Sequence, residues 1–206
     1  MDLSPPVIGI LRGIEAHFFG EVMAASFAAG LQAIEVTMNT PGAERMVARY
    51  RSAVPDGRLL GMGTIRNLTE ARRALEAGAM FFVTPNLDLR VIEFARTHEI
   101  PIIAGALTPS EVYAAWQAGA DLIKVFPCGS LGGPEYIREL RGPFEHIPLA
   151  AVGGVTSANL AAYFEAGAAA VGVSSALFGK EALAQKNIPA LAAQVKKFIE
   201  QCRLIG

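Results

Sequence analysis

The chain has 206 residues, 52% of them hydrophobic and 18% charged, and a formal net charge of -1, the composition of an ordinary globular protein. Acids and bases are intermingled, so no basic stripe is offered to a phosphodiester backbone, and nucleic acid is excluded as the expected partner. No apolar run reaches the roughly 18 residues of a membrane span. Met1 to Pro6 has no basic segment leading into an apolar stretch, and Cys128 and Cys202 form no C-x-x-C pair, so a reduced, cytoplasmic protein is expected.

Short apolar runs recur in chain order at Val7 to Leu11, Ala33 to Thr37, Leu59 to Met62, Met80 to Thr84, Ile102 to Ala104, Leu122 to Phe126, Ile147 to Val152 and Ala170 to Val173. Between them, Leu68 to Ala77, Arg90 to His98 and Ser110 to Ala118 place apolar residues at helical spacing. The junctions Ala29-Gly30, Ala77-Gly78, Ala118-Gly119 and Ala166-Gly167 each precede an apolar run, and each glycine is suited to ending a helix in the left-handed conformation. Ile188 to Cys202 reads as a closing helix. Strand and helix alternating eight times predict an α/β protein, a single (β/α)8 TIM barrel over residues 1–206. An open doubly wound sheet would call for a glycine-rich phosphate turn after the first strand, where Arg12-Gly13-Ile14 stands instead.

Active sites in such barrels lie at the C-terminal strand ends. There the sequence places Arg12, Glu35, Thr37, Asn39, Thr64, Thr84, Lys124, Ser174, Ser175 and the pair Gly153-Gly154. Lys124 and Glu35 interrupt otherwise apolar strands. Burial disfavours an ammonium, which frees a lysine amine as a nucleophile near neutral pH. With a carboxylate to move protons, this is the equipment of Schiff-base chemistry at a ketone, although the same two residues could form a structural ion pair.

Gly153-Gly154 is followed by Thr156, expected to cap a helix, and the eighth run ends at Ser174-Ser175. The loops after strands seven and eight commonly hold phosphate, so a phosphorylated small molecule is the expected ligand. Gly129 to Gly133 reads as a flexible loop over the site. The fork of Arg12 suits a carboxylate or a phosphate. His17, His98 and His146 are scattered, and no His, Cys, Asp or Glu set has ligand spacing, so neither a metal nor another cofactor is expected.

The fragments Ile34-Glu35-Val36-Thr37, Gly61-Met62-Gly63-Thr64, Val83-Thr84-Pro85-Asn86, Ile123-Lys124-Val125-Phe126-Pro127, Gly132-Gly133-Pro134 and Val152-Gly153-Gly154-Val155 are the most specific pieces of a likeness that covers essentially the whole chain. Through them it resembles the short class I aldolases that cleave 2-keto-3-deoxy-6-phosphogluconate, its galactonate epimer or 4-hydroxy-2-oxoglutarate. The resemblance implies cleavage to pyruvate and glyceraldehyde 3-phosphate, or of the five-carbon acid to pyruvate and glyoxylate. It implies Lys124 as the Schiff-base lysine and Glu35 as general acid/base. It places Arg12, Thr64, Pro85 and Phe126 at the pyruvate end, Gly153, Gly154, Ser174 and Ser175 at the phosphate, and the chain in a homotrimer. Thr37-Met38-Asn39, where the phosphogluconate pattern has an arginine, and Ala151-Val152 resemble the galactonate branch, whereas Lys124 to Pro127 and Gly142-Pro143-Phe144 resemble the gluconate branch. A non-covalent isomerase, epimerase or synthase acting on a sugar phosphate, and a catalytically silent phosphate-ligand-binding protein, are the competing functions.

Overall fold

The computed structural model describes residues 3–204; residues 1, 2, 205 and 206, the outer ends of the expected domain, lie outside the described residues. Strands β1 (Val7–Leu11), β2 (Ala33–Thr37), β3 (Leu59–Gly63), β4 (Phe82–Val83), β5 (Ile102–Ala106), β6 (Leu122–Val125), β7 (Leu149–Val152) and β8 (Ala170–Val173) run parallel. They close in chain order, β8 returning to β1, as a (β/α)8 barrel. Around it lie α1 (Ala16–Ala28), α2 (Ala43–Tyr50), α3 (Leu68–Glu76), α4 (Leu89–Thr97), α5 (Pro109–Gln117), α6 (Pro134–Arg141), α7 (Leu160–Glu165), α8 (Ser175–Phe178), α9 (Lys180–Ala184) and α10 (Ile188–Arg203). No helix among the described residues is long and apolar enough to cross a membrane.

Local chemistry accounts for many boundaries. Thr108 and Glu111 form a reciprocal capping box at the start of α5, with Pro109 at the first helical position. Asn67, Asp88 and Asn187 cap α3, α4 and α10 through their side-chain oxygens. At each Ala-Gly junction the glycine N–H reaches back three residues, and the next N–H reaches back five, as in Gly78 to Leu75 (2.9 Å) and Ala79 to Ala74 (3.1 Å). Three strands are shorter than their apolar runs, β6 by the single residue Phe126 and β4 and β7 by more. β4 ends at Val83 because the Thr84 hydroxyl accepts from Gly105 N (2.8 Å) and donates to Asn86 O (2.8 Å), turning the chain. β7 starts at Leu149 because Pro148 has no N–H to donate and Ile147 N bonds Phe144 O (3.1 Å) in a turn.

Strand side chains alternate between the helix layer and the barrel interior. Ile34, Val36, Ile123 and Val125 join the large core beneath the helices. Ile8, Ala33, Phe81, Val83, Ile103, Leu122, Ala150 and Ala170 form a separate interior cluster, a plug at the N-terminal end of the barrel. Burying one of its larger side chains is worth about 1.5–3 kcal/mol. Two residues further along, the same inward parity presents Ile10, Glu35, Gly105, Lys124, Val152 and Gly172, with Gly61 and Gly63 on β3. Above the plug the interior therefore contains two ionisable groups and several positions without side chains, and a cavity opens there.

Candidate active site

That cavity measures about 330 Å³. Of the residues expected at the site, Arg12, Glu35, Lys124, Phe126, Gly153, Gly154, Ser174 and Ser175 all line it. Thr64 and Pro85 do not. Thr64 is tied to it through the Arg12 guanidinium, whose Nη2 lies 3.5 Å from Thr64 Oγ1. Thr64 has φ of 55°, a left-handed conformation that is unfavourable for a β-branched residue and concentrates at functional sites. The Pro85 backbone occupies the space that an inward β-carbon on Gly105, the register partner of Lys124, would fill, so it packs inside the barrel beside the lysine's strand.

Lys124 is 4% exposed and Glu35 1% exposed. Burial lowers the Lys124 pKa; the facing Glu35 carboxylate opposes that shift and the Arg12 charge adds to it. Burial likewise raises Glu35, against the pull of Lys124 and then Arg12. Both directions favour the neutral amine and the neutral acid. The ammonium position also lies 5.0 Å from the centre of the Phe126 ring. Neither carboxylate oxygen of Glu35 has a hydrogen-bond partner among the described residues. A buried pair serving only structure satisfies its oxygens; an unsatisfied carboxylate aimed into a cavity is available to a ligand.

The rim beyond β7, next to the Lys124 strand, differs from the sequence expectation. Thr156 does not cap a helix: its N–H donates to Asn159 Oδ1 (2.7 Å), Asn159 Nδ2 donates to Gly154 O (2.9 Å), and α7 starts only at Leu160. The side chain of Asn159 thus braces the glycine pair. Gly153 and Gly154 have φ of 94° and 82°, which favour glycine. The segment from Gly129 is pinned and not free: Gly129 N donates to Gly153 O (2.8 Å), Cys128 N to Val152 O (2.9 Å), and residues 129–131 form a 3-10 turn. A β-carbon on Gly129 would sit 2.7 Å from Gly153 O, so close strand-end packing requires glycine there. Ser174 precedes α8 and Ser175 opens it; both are exposed to the cavity mouth.

One anchor was missed by sequence reasoning. Thr40 is buried; its hydroxyl accepts from Gly13 N (2.9 Å) and lies 2.9 Å from Thr37 Oγ1. It thereby ties the Arg12-Gly13 turn to the end of β2. Thr40→Val leaves a buried hydroxyl and a backbone N–H unpaired and is expected to cost about 1–3 kcal/mol in denaturant unfolding. Thr40→Ser, which keeps the oxygen, is expected to cost less than about 1 kcal/mol. The sequence signal was only a threonine just past a strand end, which is indistinguishable from a turn residue. His17 makes its polar contacts with Glu15 and Lys186 at the exposed edge and not with the cavity. Among the described residues no group of three or more His, Cys, Asp or Glu side chains is placed to hold a metal.

A family model described as KDPG and KHG aldolase matches residues 5–194. The 2-dehydro-3-deoxy-6-phosphogalactonate aldolase of Escherichia coli is 33% identical over 196 residues, covering 95% of each chain. The 2-dehydro-3-deoxy-phosphogluconate aldolase of Pseudomonas aeruginosa is 34% identical over 158 residues, 77% of this chain and 70% of the relative. A KDPG aldolase structure from Legionella pneumophila, with pyruvate captured at low pH as a covalent carbinolamine intermediate, superposes with a TM-score of 0.85 at 27% identity, covering 94% of this chain and 93% of that one. With a family pattern spanning nearly the whole barrel and relatives of one chemistry aligned along it, the chain belongs to the KDPG and KHG aldolase family and is a carbon–carbon lyase.

Proposed function

We propose that the chain cleaves a phosphorylated 2-keto-3-deoxy sugar acid, the 6-phosphogluconate derivative or its galactonate epimer, to pyruvate and glyceraldehyde 3-phosphate through an imine on Lys124. The observation that carries this reading is a buried lysine shifted toward its neutral form, sharing one cavity with an unpartnered Glu35 carboxylate and with the Gly153, Gly154, Ser174 and Ser175 rim.

The free amine of Lys124 adds to the C2 carbonyl; Glu35, held toward its acid form by burial, protonates the departing hydroxyl of the carbinolamine, giving water, a protonated imine and the Glu35 carboxylate. Glu35 accepts the C4 hydroxyl proton as the C3–C4 bond breaks. The bond's electrons enter the iminium and leave an enamine, and the aldehyde departs. Glu35 returns its proton to C3, and water then adds to the iminium, passing a proton back to Glu35 as pyruvate leaves and the free amine is restored. Arg12, with Thr64 beside it, meets the substrate carboxylate bidentately. Phe126 and Pro85 flank the pyruvate carbons. Gly153, Gly154, Ser174 and Ser175 receive the phosphate at the far end. A reduced cytoplasmic setting, one barrel domain over 1–206 and homotrimeric assembly belong to the same reading, and the exposed Leu89 and Tyr113 supply apolar surface for a partner copy to cover.

Borohydride reduction in the presence of pyruvate is expected to leave one pyruvate-derived adduct on the peptide containing Lys124, read by mass spectrometry. No adduct, or one elsewhere, removes the imine. Steady-state assay against both six-carbon epimers and 4-hydroxy-2-oxoglutarate tests the phosphate arm. The unphosphorylated acid is expected to lose roughly 10- to 10²-fold in kcat/KM for each charge-assisted contact it forgoes.

A further inference from the structure

We propose that Gly63 is a positioning residue for the acid/base step: the missing side chain at this position is what allows the Glu35 carboxylate to occupy its place in the cavity. This rests on the assignment of Glu35 as proton carrier.

Glu35 and Gly63 lie on adjacent strands, with Glu35 paired in register to Gly61 and Thr37 to Gly63. The Glu35 side chain leans toward the C-terminal end of the barrel and its carboxylate lies directly over Gly63. A β-carbon built on Gly63 would stand 2.5 Å from each of Oε1 and Oε2, well inside van der Waals contact, and its three nearest neighbours all belong to that carboxylate. The other interior glycines make room for different things. A β-carbon on Gly61 meets the ring of Phe81, on Gly105 the backbone of Pro85 and Asn86, and on Gly172 the methyls of Val152. Gly61 and Gly63 stand two apart on one strand, so the first serves the plug and the second the chemistry.

The atoms that would have to give way at Gly63 are the free end of a flexible side chain with no hydrogen bonds holding it. The backbone of Gly63 is outside the left-handed region, so alanine introduces no conformational strain. Gly63→Ala should therefore fold while displacing the carboxylate by about the 1 Å that is enough to cost roughly 10²-fold in rate. Lys124 stands on β6, across the barrel, and imine formation should survive.

The test is a cycle of Gly63→Ala with Glu35→Asp, whose carboxylate is one methylene shorter and withdraws from the contested space. In the parent background Gly63→Ala is expected to lower kcat by roughly 10²-fold, with borohydride trapping of pyruvate on Lys124 retained. In the Glu35→Asp background the same substitution is expected to change kcat by less than about threefold, because the contested space is then empty. An equal loss in both backgrounds, or parental turnover in Gly63→Ala, overturns the proposal. If Gly63→Ala does not fold, adding Glu35→Ala must restore folding, since the collision is with that side chain; failure to do so also overturns it. Loss of trapping in the parent protein, or full activity of Glu35→Gln, would instead refute the underlying assignment and is read separately.

Discussion

Replacing Lys124 by alanine is expected to lower kcat by roughly 10⁴- to 10⁶-fold while the barrel stays folded, the scale of loss when a covalent nucleophile is removed. The reason lies in its setting. On an exposed strand the amine would be protonated at neutral pH and non-nucleophilic. Here burial disfavours the ammonium, and although Glu35 opposes the shift, the net direction is downward. Among the described residues no other lysine lines the cavity, so no second amine there can form the imine. Lys124→Arg should not rescue, because a guanidinium stays protonated and forms no imine. Steady-state turnover, with circular dichroism as the folding check, decides the matter; a variant within tenfold of the parent excludes the covalent route. The sign of the pH dependence also follows. With Lys124 as the proposed nucleophile its protonated form does not react, so kcat/KM is expected to rise with pH through its pKa. That limb should lie below the value of about 10.4 typical of a solvated lysine.

Glu35→Gln is expected to reduce kcat by about 10²- to 10⁴-fold, the usual worth of a positioned general acid or base, while leaving pyruvate trapping on Lys124 detectable. It should also change the pH dependence of stability. Burial raises the Glu35 pKa, so the folded state holds its proton more tightly than the unfolded state. Stability then falls as pH rises from the unfolded value of about 4.3 through the folded one, and is level above it. Glutamine does not ionise and escapes that loss. Relative to the parent, Glu35→Gln should therefore gain stability across this window and hold a constant advantage at higher pH, measured by thermal unfolding at a series of pH values. A relative stability that does not change with pH would mean that the folded carboxyl titrates normally, contradicting its burial without hydrogen bonds.

The expected loss of turnover and the expected gain in stability have one cause. A carboxylate without hydrogen-bond partners, facing an amine biased toward neutrality, is a poor structural element and a good acid/base group. The interior positions around it are built to tolerate this. Below it, the apolar plug that includes Phe81 and Leu122 closes the barrel; beside it, glycines leave space; above it, the Arg12 turn is tethered through Thr40.

Much of this architecture was legible in the sequence because it depends on short-range periodicity. Apolar runs separated by helical patterns identify eight strands, and each Ala-Gly junction does end a helix with the backbone bonds expected of it. Period-two alternation alone sends Glu35 and Lys124 inward once Ile34, Val36, Ile123 and Val125 are assigned to the helix layer. Contacts between distant segments were not legible. That Thr156 spends its N–H on Asn159, that Gly129 is held by Gly153, that Thr40 tethers Gly13 and that the Pro85 backbone packs on the inner side of Gly105 all depend on which loops barrel closure brings together. The sequence by itself determined the strand order, the inward parity and the residue types available for imine chemistry, because alternation and helix stops are properties of neighbouring residues. Only the tertiary structure decided which polar atoms are satisfied and which remain free, and that Gly63 lies beneath the Glu35 carboxylate, because hydrogen-bond partners and excluded volume are set by strands that meet only when the barrel closes.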